Sequence, residues 1–134
     1  MLQRLAALAV VAVLPAAAPA EVKKPAKPSG TYTREAGERK VSWTFKEDTL
    51  TIRIQIGEGR LDYEAAYGIT KDGLLFGVMT KAEKKDIDGG PGKEDLISFR
   101  YTLGEGELKI SDLKGTSIGD EAKRLVEGTY KKEK

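Results

Sequence analysis

The residues that could do chemistry here are carboxylates, lysines, arginines and tyrosines, because the 134 residues include no histidine and no cysteine. That composition excludes a histidine general base, Ser-His-Asp and Cys-His nucleophile systems, histidine or thiolate zinc sites and histidine-ligated haem. It also excludes a disulfide framework and a lipid-modified cysteine. A carboxylate pair for glycoside hydrolysis stays open in principle. Strand alternation, however, turns the acids outward, and Asp112 is the only one with a claim to the inner side. The expectation is therefore no enzyme, with no catalytic residue.

Two other places could hold a ligand. The loop EKKDIDGGPGKED, residues 83–95, carries Asp86, Asp88, Glu94 and Asp95, hard oxygen donors of the kind calcium takes. Their spacing misses the calcium-loop template, and Lys84, Lys85 and Lys93 neutralise them, so the segment reads as a mobile Gly/Pro-rich loop. Neither a metal nor another cofactor is implied. Arg34 is the one charge that alternation places inward, opposite Trp43 if AGER is the first turn. It either anchors an anionic head group inside a barrel mouth or lies at the rim, paired with a carboxylate.

These residues need elements to position them. Residues 1–20 read as a secretory signal: Arg4 is the basic start, LAALAVVAVL the apolar run, and APA the small-residue cleavage site. Cleavage after Ala20 would give a secreted or periplasmic chain with no membrane anchor. Residues 21–29, rich in Lys and Pro, read as an extended tether, and residues 30–134 as one domain. Removing Arg4 from the 23 basic residues leaves 22 against 21 acidic ones. The signs are interspersed, so no nucleic-acid partner is expected.

From Gly30 onward short runs alternate apolar and polar residues between Gly, Asp and Glu turns, which is the pattern of an all-β domain. About eight strands are predicted. Apolar residues pair across four turns: Phe45 with Leu50, Ile56 with Leu61, Ile69 with Leu74, and Leu103 with Leu108. One continuous apolar face with short hairpins is an antiparallel up-and-down meander, and closing it into a barrel hides that face and removes both edges. Closure sets the first strand beside the last. The near-repeat GTYTRE at 30–35 and GTYKKE at 128–133 then has a reason, although so short a string also recurs by chance. Before the last strand, GDEAKRLVE predicts one short helix, with Asp120 as its N-cap, plugging an end of the barrel.

A signal-like start, an eight-stranded meander and Gly30-Thr31-Tyr32 opening the first strand resemble the lipocalin and fatty-acid-binding barrels, with Tyr32 where lipocalins carry the Trp of Gly-x-Trp. The resemblance implies a calycin-type barrel able to take a small ligand. The chain departs from it in having no disulfide, no helix pair between the first two strands, and no Arg-x-Tyr in the last.

The inward aromatics then supply two readings. They fill the core, or they line a partly wet interior that takes a small apolar or amphipathic ligand at Arg34, Trp43, Tyr63, Tyr67, Phe99 and Tyr101. The rival expectation is a protein-interaction module with a filled core. On that reading LLFGVM places Leu74, Phe76 and Val78 inside, and turns Leu75 and Met79 outward beside Leu96 as a docking patch.

Overall fold

The alternating runs become eight antiparallel strands: β1 (Gly30–Ala36), β2 (Arg39–Phe45), β3 (Thr49–Ile56), β4 (Gly59–Ile69), β5 (Leu74–Lys85), β6 (Leu96–Gly104), β7 (Glu107–Gly115) and β8 (Gly128–Lys132), with α1 (Asp120–Val126) before the last. The computed structural model describes residues 26–133. Each strand pairs with the next, and β8 pairs with β1, so the sheet is a closed barrel. The signal reading of residues 1–20 and the first part of the tether lie outside the described residues.

Closure uses a short seam. Tyr32 lies opposite Lys132 and Thr33 opposite Lys131, and the Glu133 N–H donates to Thr31 O at 2.8 Å. The two copies of the repeat run antiparallel here, each Gly-Thr-Tyr end beside the basic end of the other, with Tyr32 and Tyr130 both buried inside. The interior is one cluster of 20 buried apolar residues, in which Trp43 meets Phe99 edge-on at 5.0 Å and Tyr130 at 6.1 Å. On β3 and β4 the outer face carries the Arg53–Asp62 and Arg60–Asp62 pairs, both at 2.7 Å.

The hairpins correct the expected register in two ways. Gly37 and Gly57 adopt left-handed φ of 64° and 59° and make two-residue turns with Glu38 and Glu58. Arg34 therefore lies opposite Val41 rather than Trp43, and Leu61 opposite Ile54 rather than Ile56. These slips are of two residues, so the buried face is unchanged. The β4–β5 turn differs. Thr70 and Leu74 close a three-residue loop by Thr70 N–H to Leu74 O at 2.8 Å, with Gly73 at φ 86°. Ile69 then faces Leu75, one residue beyond the expected Leu74. An odd shift exchanges faces: Leu75 and Met79 are in the core at 0% and 1% exposure, whereas Phe76 and Val78 are outside at 50% and 41%.

Three further expectations change. Glu83–Lys85 belong to β5, so the loop is shorter than the run of acids and glycines suggests. The N-cap of α1 is Gly119 and not Asp120, which stands in the first turn with Glu121, where acidic charge suits the helix dipole. Asp112, offered as an inward acid, sits on a β7 irregularity at φ 53° with its side chain exposed.

The two ends are closed differently. At one end the predicted free tether packs: Pro28 is fully buried, Tyr101 Oη donates to Ala26 O at 2.9 Å, and Lys27 bonds to Glu47 O beside the Tyr67 ring. At the other end α1 and the loop of residues 86–95 lie over the strand ends.

Candidate functional site

Beneath α1 and that loop the core does not fill the barrel. A cavity of about 310 Å³ remains, walled by Ile52, Ile54, Leu61, Ile97 and Leu113, with Trp43 and Met79 among the deeper lining. Its roof is the segment Asp88–Pro91 on one side and Ile118–Val126 on the other, and Arg39, Asp88 and Glu121 are exposed at the opening. Ile87 seats the loop by occupying the space above Gly59, where any side chain would collide with it.

Two fully buried polar atoms on cavity-lining residues have no hydrogen-bond partner among the described residues, Trp43 Nε1 and Tyr63 Oη. A buried donor without an acceptor costs about 1–3 kcal/mol. The Tyr63 hydroxyl lies beneath the loop, so close that a methyl group on Gly90 would be 2.7 Å from it. Burial first, and then the charge of Asp95, hold its pKa above the usual tyrosine value. The Trp43 N–H makes no hydrogen bond of acceptable geometry, yet it lies near enough to Tyr130 Oη to favour the ionised phenol; burial outweighs this and raises the Tyr130 pKa.

Arg34 faces inward as alternation requires, but it does not line the cavity. Its Nη1 donates to Leu125 O at 3.2 Å and to Glu127 O at 2.6 Å, the otherwise unpaired carbonyls at the end of α1. Glu127 ties the same corner to β7 through its carboxylate, which accepts from Leu113 N–H at 2.8 Å. The cation expected to hold a ligand instead holds the roof.

Of the six residues expected at a ligand site, Trp43 and Tyr63 line the cavity together. Phe99 packs behind Trp43 as core. Tyr67 and Tyr101 belong to the opposite end, where Tyr67 Oη donates to Lys46 O at 2.6 Å and Tyr101 binds Ala26. The expected outer patch is overturned with the β5 register: Leu75 and Met79 are buried, and Leu96 stays exposed at 58% opposite Val78. The outer apolar residues are Phe76, Val78 and Leu96. The helix was expected to plug an end of the barrel and does so as part of the roof; residues 88–91 were missed as the other part. The signal for that loop was Gly59 and Gly90, small residues that let it approach the barrel wall closely.

No family model, curated protein or solved structure matches this chain. The likeness to calycin-type barrels is thus one of architecture, eight antiparallel strands in a closed barrel.

Proposed function

We propose that this protein is a non-enzymatic barrel, exported to a secreted or periplasmic location, that holds a small apolar or amphipathic molecule in the cavity beneath α1, in the manner of the lipocalin-like barrels its architecture resembles. The observation that carries the reading is the apolar cavity of about 310 Å³ with unpartnered polar groups on two of its lining residues. That volume stands at the lower end of small-molecule sites. Export rests on the N-terminal sequence. The absence of histidine and cysteine and the outward acids support binding rather than catalysis. The interspersed charge argues against nucleic acid.

A hydrophobic fluorophore titrated into the protein should give saturable binding together with a change in Trp43 emission. Mass spectrometry should find a copurifying small molecule. Absence of both would sink the reading and leave the rival module with an outer patch, now formed by Phe76, Val78 and Leu96.

A further inference from the structure

The charges around the cavity restrict what it can take. Below the rim its lining is apolar, and the three charged residues at the opening, Arg39, Asp88 and Glu121, are exposed and sum to one negative charge. The inward Arg34 is spent on the carbonyls of Leu125 and Glu127. A carboxylate held beside Tyr63 would lose its hydration and face the charge of Asp95, while Arg39, the cation of the lining, stays exposed at the rim with Asp88 and Glu121; burial there is strongly unfavourable. A neutral head group meets no such penalty. It would find the Tyr63 hydroxyl, buried, unpartnered and shielded by Gly90 of the roof loop.

From these placements we infer that the cavity selects an uncharged amphiphile with an apolar chain and a hydrogen-bond-accepting oxygen, that the oxygen pairs with the Tyr63 hydroxyl as the Asp88–Pro91 roof adjusts around it, and that the corresponding carboxylate is excluded. At roughly 30 Å³ per heavy atom, as in liquid water, the cavity of about 310 Å³ admits about ten non-hydrogen atoms. Burial and the nearby Asp95 keep the Tyr63 proton in place at neutral pH, so the group remains a donor.

The inference rests on the ligand-binding reading, and a matched series separates the two. Octane, 2-octanone, 1-octanol and octanoate are titrated near neutral pH against the wild-type chain and Tyr63→Phe, with Trp43 emission as the readout. The ketone and the alcohol should bind at least about tenfold more tightly than octanoate, whose affinity should rise as acid protonates it. Tyr63→Phe should weaken the ketone by about five- to tenfold, leave octane unchanged, and not endanger folding, since it removes an unpaired hydroxyl. Octanoate binding as tightly as the ketone near neutral pH, or a ketone advantage over octane that survives Tyr63→Phe, overturns the inference while the carrier reading stands. If none of the four, octane included, gives a saturable change, the carrier reading itself falls.

Discussion

The Arg34 guanidinium lies directly over Gly128: a methyl group on that glycine would be 2.8 Å from Arg34 Nη1 and 2.9 Å from Cζ. Across the same seam Lys132 lies over Gly30, whose added methyl would be 3.2 Å from Lys132 Cε, and its ammonium is 5.9 Å from the Tyr32 ring centre. The two relations are one relation applied twice. In GTYTR and GTYKK the fifth residue is basic and crosses the first residue of the antiparallel partner. Glycine at both first positions lets the long side chains pass. Gly128→Ala should therefore cost about 1–3 kcal/mol, because alanine is strained at φ 144° and meets the guanidinium. Gly30→Ala should cost less, since the flexible end of Lys132 can move aside. Arg34→Ala should cost about 1.5–3 kcal/mol through the lost bonds to the α1 carbonyls. Denaturant melts of the double variant should show clear non-additivity, and additive losses would mean that the two residues do not share the corner.

The opposite end gives a second prediction. A chain that begins at Ser29 loses the buried Pro28 and the Ala26 carbonyl that accepts from Tyr101 Oη at 2.9 Å. The loss should be about 2 kcal/mol, combining reburial of apolar surface with an orphaned hydroxyl. Comparison by chemical denaturation with a chain that begins at Ala26 checks it. Equal midpoints would mean that residues 26–28 do not close the barrel.

The pH dependence follows from the phenols. Burial is the first cause of the raised pKa values of Tyr63, Tyr67, Tyr101 and Tyr130. A raised folded-state pKa means that the native state keeps a proton that the unfolded chain releases above about pH 10. Stability from these groups is complete below that pH and is lost as pH rises toward the folded-state values. Because histidine is absent, stability should be nearly flat from about pH 6 to 9. Alkaline melts should fall above about pH 10, with tyrosinate absorbance appearing together with unfolding. Tyrosinate forming in the folded barrel well before the melt would contradict this.

How much of this was legible depended on parity. Alternation has a period of two, so the slips at the turns of Gly37 and Gly57 moved partners by two residues and left every side chain on its predicted face. The inward position of Arg34 could be read in this way. Its partner could not, because Leu125 is 91 residues away and its carbonyl is free only because a helix ends there. The cavity walls were legible as apolar residues. That they leave a space was not, since the space depends on where α1 and the loop rest on the strand ends.

The β5 segment is where parity failed, and it supplies the last prediction. LLFGVM is apolar on both faces, so its alternation does not say which face is inside. The turn decides, through its three residues and Gly73. With Leu75 fully buried and Phe76 half exposed against Gly68, the two neighbours should respond in opposite ways to truncation. Leu75→Ala should cost about 2–5 kcal/mol, the range for a buried leucine in a close-packed core. Phe76→Ala should cost less, about 1 kcal/mol, although phenylalanine is the larger side chain, because only half of it leaves water on folding. It should also reduce any self-association or fluorophore binding due to the outer patch, because it removes the largest side chain of the Phe76, Val78 and Leu96 cluster. If the larger loss falls on Phe76, the β4–β5 turn has the two-residue parity, and Leu75 and Met79 return to the surface.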